Sequence, residues 1–325
     1  MSRLAAFLGT PTPTLGIEIS ATQVSMVRMA PEGSPAAVTG VAVERLRAGA
    51  VVPALNAANI VDRAAVSGAI RAALQQLGGR GRRAVLVVPD TIAKVSLLRF
   101  DKVPPRAADL AALVSWQVRK SAPFPIDAAQ MSYVAGAEVD GAREFVVTLA
   151  RRDIVAEYEA ACQEAGLHTG VVDLATFNLV NAVLAAGGPS QGDALLVNLA
   201  PDYLTVVILR DGQLMFYRHR GSEGDGSLAD VVHQSAMYYE DRLGGRGFSR
   251  AILAGAGRAA AAAAPGVAAL DIDGVRRQLE SRLGTSVEMI DPRPAITLTD
   301  RIAASPALLD TLAPVVGLLL RERTA

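Results

Sequence analysis

Short apolar runs separated by polar breaks open the chain, and their period predicts strands before any helix. Leu15-Gly-Ile-Glu-Ile is followed by a polar break and by Val24-Ser-Met-Val-Arg-Met, which alternates as a half-buried strand does. Pro31-Glu-Gly-Ser-Pro then turns the chain into a third predicted strand, Ala37–Leu46. Asp62 is placed to cap a helix that runs to Leu77, with Val66, Ile70, Ala73, Leu74 and Leu77 on one face. Gly78 and Gly79 end it. Upstream, residues 10–14 (Thr-Pro-Thr-Pro-Thr) predict an extended leader, because proline disfavours helix in the residue before it.

A second block reads differently. Ala84–Val88 is a buried strand and Lys94–Phe100 another, and Pro104-Pro105 opens a helix over about 107–120. That helix ends before Pro123-Phe-Pro125. Residues 128–138 and 143–150 then predict a hairpin around Asp140-Gly141, a strong short-range turn signal. The strand–strand–helix–hairpin unit at about 84–150 reads as a compact insertion. Asp153 caps the helix that follows, and Gly166 ends it.

The most informative feature is a repeat. Residues 15–29 align without gaps on residues 195–209 (Leu-Leu-Val-Asn-Leu-Ala-Pro-Asp-Tyr-Leu-Thr-Val-Val-Ile-Leu), at an offset of 180. Each copy is a buried strand, a polar turn and a second strand, and a third strand follows, Gln213–Arg220 in the second copy. A two-lobed α/β fold of duplicated halves is the expectation, with the first lobe at 1–185 and the second at 186–325.

Composition narrows the function classes. The 325 residues hold 32 basic and 32 acidic side chains, so there is no basic footprint for nucleic acid. One cysteine and three scattered histidines leave no recognisable metal set, and none is expected. The positive mean hydropathy, +0.30, comes largely from alanine. No run reaches the ~18 apolar residues of a spanning helix; the best C-terminal run, Thr311–Leu320, ends at Arg321-Glu-Arg323.

Of the residues able to do chemistry, most have a plain structural reading. Cys162 lies among alanines in a helix, as a small core residue does. His168, His219 and His233 have no serine or aspartate at triad spacing, and Asp173 reads as a helix cap. The basic run Gly78–Arg83 reads as a solvated loop. Trp116 fits either a core or a partner-facing position.

Duplicated halves that each open on a three-stranded meander resemble the actin, Hsp70 and sugar-kinase architecture. Within it the chain is similar to the PilM family of type IV pilus assembly. The resemblance covers nearly the whole chain and rests on several segments in order. These are Leu15-Gly-Ile-Glu-Ile, Val88-Pro-Asp with Val95-Ser-Leu-Leu-Arg-Phe, and Leu113-Val-Ser-Trp-Gln-Val-Arg-Lys-Ser-Ala-Pro-Phe-Pro. Thr148-Leu-Ala-Arg-Arg-Asp, Val172-Asp-Leu-Ala-Thr-Phe and Leu253-Ala-Gly-Ala-Gly continue the match.

The resemblance implies an actin-like two-lobe fold whose inserted subdomain, of the kind called SHS2, sits in the first lobe. It implies ATP and Mg²⁺ in the cleft, with a phosphate in each first turn and adenosine against a pair of glycines. The positions matching that site are Glu18, Ser20, Thr22, Asn198, Gly226, Gly255 and Gly257. It implies as partner the N-terminal cytoplasmic peptide of a PilN-like bitopic inner-membrane protein, with the pilus motor ATPase or platform beyond it. The protein would then be cytoplasmic and peripheral to the inner membrane. An extended apolar peptide is expected between the first lobe and the insertion, walled by Val95, Leu97, Phe100, Trp116, Phe124 and Ile126.

The phosphate turns depart from the family's pattern, which resembles Asp-Ile-Gly-Ser-Ser. Here Glu18-Ile-Ser-Ala-Thr22 and Asn198-Leu-Ala-Pro201 stand instead, so both turn glycines and one carboxylate are replaced, and Pro201 has no N–H to donate. The lysine-like cation of the first turn is absent, with Gln23 and Val24 in its place. Each lost charge-assisted bond weakens triphosphate binding by roughly 1.5–3 kcal/mol. A scaffold that holds ATP weakly or not at all is the expectation. Two alternatives stay open: an active actin-like ATPase, and a GspL-like cytoplasmic module of type II secretion. A sugar or acetate kinase would need intact phosphate turns and an acidic base.

Overall fold

In the computed structural model, which describes residues 12–79, 82–187, 192–221, 227–262 and 270–324, the opening runs form an antiparallel meander. It comprises β1 (Leu15–Ile19), β2 (Gln23–Met29) and β3 (Ala37–Arg45). Asp62 caps α1 (Arg63–Gln76) by accepting from Ala65 N at 3.0 Å. The apolar face of α1, Val66, Ile70 and Ala73, packs under β1. β4 (Arg83–Val88) then runs parallel to β1.

The inserted subdomain leaves after β4. It holds β5 (Ala93–Phe100), α2 (Ala107–Arg119), β6 (Ala129–Val139) and β7 (Ala142–Arg151), in a three-stranded sheet of order β5-β7-β6. The β6–β7 turn needs positive φ at both central residues, and Asp140 (52°) and Gly141 (76°) supply it. α3 (Arg152–Glu164) returns to the first lobe, where β8 (His168–Leu174) pairs parallel to β4. Cys162 of α3 is fully buried in that core, where burial pushes its thiol up to about 12.

α4 (Ala175–Gly187) leads to the second lobe, which repeats the pattern with β9 (Asp193–Leu199), β10 (Tyr203–Arg210) and β11 (Gln213–Gly221). α5 (Leu228–Leu243) starts on a capping box of Ser227 and Asp230. β12 (Arg250–Ala254), α6 (Ala256–Ala261), α7 (Ile272–Leu283) and β13 (Val287–Met289) follow. The first sheet runs β3-β2-β1-β4-β8, with one further strand from the C-terminal region at the β3 edge, and the second runs β11-β10-β9-β12-β13. The two repeated hairpins thus open two different sheets that share this strand order. The fold is an actin-like duplication.

Two boundaries differ from the sequence-based expectation. Ala84–Val88 is the fourth strand of the first lobe rather than the start of the insertion, because its buried residues pair directly with Gly16–Glu18. The chain also does not end in the second lobe. β14 (Thr297–Leu298) pairs with β3, and α8 (Pro306–Thr324) covers the back of the first sheet with Leu312, Val315, Leu318 and Leu319. α8 crosses α4 so closely that a Cβ on Gly317 would lie 1.8 Å from Asn178 O. β1 and β2 are buried on both faces, although the alternation of β2 predicts a half-buried strand, because α8 covers the face of the sheet opposite α1.

Candidate functional site

The ends of β1 and β9 meet across the cleft between the lobes. β1 carries Glu18, β9 carries Asn198 at the equivalent register, and both are buried. Between them lies Arg258, from α6, also buried. Its Nη1 donates to Glu18 Oε1 at 2.5 Å and its Nη2 to Asn198 Oδ1 at 3.2 Å. Burial opposes the charge on Arg258, but Glu18 and Asp310 outweigh it and raise its pKa, so the guanidinium stays charged. Burial pushes the Glu18 carboxyl above its usual range, with Arg258 acting against the shift. Glu18 Oε2 and Arg258 Nε have no hydrogen-bond partner among the described residues.

The donors that an anion would use are already engaged. In the β1–β2 turn, the N–H groups of Thr22 and Gln23 point at Ser20 Oγ (3.4 and 3.2 Å), and Ser20 N donates to Gln23 O. In the β9–β10 turn, Ala200 N donates to Tyr203 O at 2.9 Å. The first amides of α6 are held from another element, since Gly255 N and Gly257 N donate to the two oxygens of buried Asp310 on α8 (2.6 and 2.8 Å). Gly255 has φ +79°, and a Cβ there would lie 2.3 Å from Leu199 O. The backbone crossing alone therefore demands that glycine. A Mg²⁺-bound triphosphate needs free N–H donors and a free carboxylate. Among the described residues, these amides are engaged within the protein, and Glu18 gives one carboxylate oxygen to Arg258 and keeps the other unpartnered.

The structure thus gathers Glu18, Asn198, Gly255 and Gly257 of the expected nucleotide positions, with Ser20 and Thr22 in the adjoining turn. Gly226 lies outside the described residues, as do Thr10 and Pro11 of the leader and Arg80 and Gly81 of the basic run. Arg258 and Asp310 were not legible as site residues. The one signal was Asp310 itself, a lone acid inside the apolar stretch Leu308–Leu320.

A buried polar chain continues from this pair. Asn198 Nδ2 donates to Thr176 Oγ1 (2.8 Å), and Thr176 Oγ1 donates to Asp90. Asp90 also accepts from Thr176 N (3.0 Å) and from Thr205 Oγ1 of β10 (2.7 Å). His219 Nδ1 lies 3.2 Å from Thr205 Oγ1, and burial holds its pKa below the usual value. Asp90 therefore caps α4, the role expected of Asp173. Asp173 instead pairs with Arg321 of α8.

A second feature lies on the far side of the inserted sheet from α2. It is a groove of about 380 Å³ between that sheet and the first lobe, walled by Val134, Val146, Val155, Val172 and Phe177, with Leu214 at one end. Gln130, Ser132, Thr148 and Asn181 place neutral polar groups in it.

The expected peptide-binding residues divide by strand alternation, and this corrects the expected walls. Phe100, Phe124 and Ile126 pack with Val114, Val118 and Phe145 in the subdomain core under α2, so they face away from the groove. Trp116 is 58% exposed on the outer face of α2, with Lys120 Nζ 5.3 Å from its ring centre. Val95 lies on the other face of β5 against the first-lobe core, and Leu97 shares that face, but the groove walls come from β6 and β7.

Residues 16–242, well over half of the chain, match the protein family described as type IV pilus assembly protein PilM. The chain belongs to the PilM family. Its fold matches a PilM–PilN type IV pilus biogenesis complex with TM-score 0.79 at 18% identity, over 96% of this chain and 99% of that one. Two looser matches are too distant to bear on function. One is a Bacteroides thetaiotaomicron protein of actin-like ATPase fold (TM-score 0.47, 10% identity, 91% and 96% covered). The other is the cytoplasmic domain of EpsL, an inner-membrane component of the Vibrio cholerae type II secretion system (0.46, 12%, 74% and 80%). No curated protein matches the chain. Among the described residues, no helix is long and apolar enough to cross a membrane, and no cluster of His, Cys, Asp and Glu is arranged for a metal.

Proposed function

We propose that this PilM-family chain is a pilus-assembly scaffold that works by holding a partner rather than by turning over a nucleotide. The partner is a PilN-like inner-membrane protein, held through its extended N-terminal cytoplasmic peptide, and this keeps the scaffold at the membrane. The groove between the inserted sheet and the first lobe carries the reading. Its lining is mostly apolar, with the Asp173–Arg321 pair in it, and it is open and large enough for a few side chains. Each buried leucine or isoleucine contributes ~1.5–3 kcal/mol before the cost of ordering the peptide. A micromolar Kd, about 8.2 kcal/mol net, then needs several such anchors together with backbone pairing of the peptide. β6 is an edge strand of its sheet, which gives an extended peptide a route to backbone pairing. The match to a structure of PilM with PilN supports the choice of partner.

Calorimetry of the full chain against a synthetic peptide of the cognate PilN N-terminus tests this. Val134 is 61% exposed on the groove side, so Val134→Glu leaves the fold intact and is expected to weaken binding more than ~10-fold, about 1.4 kcal/mol. Trp116→Ala, on the outer face of the same subdomain, leaves binding unchanged. Equal affinity for Val134→Glu and the wild type would move the site elsewhere. No binding by the wild type would remove the partner.

A further inference from the structure

The cleft between the lobes is closed by the protein's own charges, and four contacts cross it. Arg258 of the second lobe meets Glu18 of the first at 2.5 Å. Thr205 of β10 donates to Asp90, which follows β4, at 2.7 Å. Asn198 of β9 donates to Thr176 at the start of α4 at 2.8 Å. Asp310, on the helix that covers the first sheet, holds Gly255 N and Gly257 N of the second lobe at 2.6 and 2.8 Å. All the side chains in this set are buried.

We infer that Arg258 is a built-in latch. Its guanidinium stands between the two phosphate-turn strands, where the resemblance would put a ligand's charge, and fixes the closed arrangement of the lobes without any ligand. Three observations point the same way. The cation contacts one residue from each of the symmetry-related strands, Glu18 and Asn198. The turn amides that would bind an anion are engaged by Ser20 Oγ, Tyr203 O and Asp310. Asn198 is neutral, so the guanidinium's two partners are one carboxylate and one amide oxygen, with the Asp310 carboxylate turned instead to Gly255 N and Gly257 N.

The chemistry ties Glu18 and Arg258 to each other. A buried cation without a counter-ion is strongly unfavourable, so Arg258 requires Glu18, and Glu18 in this position requires Arg258. Such a pair adds less to stability than a well-packed apolar replacement would, but it specifies one geometry. Here that geometry is the angle between the lobes. In a ligand-gated cleft, closure follows the differential affinity of the ligand for the closed state. With Arg258 in place, that difference has nothing to act on. The inference is independent of which partner the groove takes.

Hydrogen–deuterium exchange on the full chain tests it in two arms. In the first, millimolar Mg-ATP is added to the wild type. Amides of 19–23 and 199–203 are expected to exchange at the same rate with and without it, and the melting temperature to stay fixed. Protection of those amides by ~10-fold or more, which is about 1.4 kcal/mol of differential binding, would show that Arg258 swings aside for nucleotide and would overturn the latch. In the second arm, Glu18→Gln and Arg258→Met are combined so that neither member of the pair is left charged without the other. The two turns are expected to exchange ~10-fold faster, with β5–β7 unchanged as an internal control. Unchanged turns would show that the pair holds nothing. Where the double variant fails to fold, the wild-type arm still decides. Arg258→Lys keeps the charge but not the two-pronged reach, and an intermediate rate is expected.

Discussion

The two lobes share a strand order and even a turn. Ser20 N donates to Gln23 O at 3.0 Å in the first, and Ala200 N to Tyr203 O at 2.9 Å in the second. They differ in what each adds to that frame. The first lobe ends its opening strand in a carboxylate, Glu18, and the second in an amide, Asn198. The first lobe takes an inserted sheet and is covered by α8 through Leu312, Val315, Leu318 and Leu319, whereas α8 meets the second lobe at Asp310 and Ala313. At the other end of the hairpin the second lobe is the better fastened. Asp193, at the start of β9, accepts from Arg210 at 2.8–3.1 Å and from Tyr239 OH at 2.5 Å, while Pro13 occupies the matching place in the first lobe. A duplicated frame has thus been elaborated in two ways: the first half carries the inserted sheet with the groove beneath it, and the second half carries the fastening at Asp193.

The largest test of this division is Arg258→Met alone. It leaves Glu18 buried without its counter-ion, and urea unfolding should show a loss of about 3–5 kcal/mol. Adding Glu18→Gln should recover most of it. A single variant as stable as the wild type would show the two lobes to be joined by packing only.

Next is the crossing of α4 and α8, the helices that lie between the sheets. Gly317→Ala forces them apart and should cost about 3 kcal/mol, read by the same unfolding midpoint. A loss under ~0.5 kcal/mol would mean the crossing relaxes freely.

Asp193→Asn probes the fastening that the second lobe alone has. The pKa of Asp193 is lowered: burial works against the charge, but Arg210 and Tyr239 more than offset it. A depressed carboxylate contributes stability above its unfolded value, near 3.9, and loses it as pH falls through the folded value. The variant should therefore be less stable than the wild type by about 2 kcal/mol at neutral pH. The gap should close below about pH 4. A gap that persists in acid would assign the effect to shape rather than charge.

The smallest expected effect is a gain. A Cβ on Gly68, within α1 of the first lobe, meets nothing within 4 Å. Gly68→Ala should stabilise by about 0.5–1 kcal/mol, in contrast to the same change at Gly317.

Period and repeat were legible in the sequence because they are local. The meander at 15–29, its copy at 195–209, and the hairpin at Asp140-Gly141 each stand where the residues put them. What depends on distant contacts was not legible. Nothing near Arg258 says that Glu18 lies against it, 240 residues away. Phe124 stands between two prolines, which reads equally well as a rigid docking turn and as a plug under α2, and it is the plug. Gly255 looked like a glycine kept for a ligand, but it is required by the carbonyl of Leu199. Asp173 lost the capping of α4 to Asp90 because β4 carries Asp90 alongside the start of that helix.

α8 has a consequence for how the protein is made. The sheet of the first lobe leaves the ribosome before the second lobe does, yet the face formed by Val27, Met29, Val85 and Val87 is covered by α8, which comes after the second lobe in the chain. During translation that face waits, apolar and open, until α8 has been made. A nascent chain in this condition is a natural client for a chaperone, because exposed apolar surface on a waiting domain invites aggregation. The half that is synthesised first is finished last, and a stop codon anywhere in the second half would leave the first half unfinished as well.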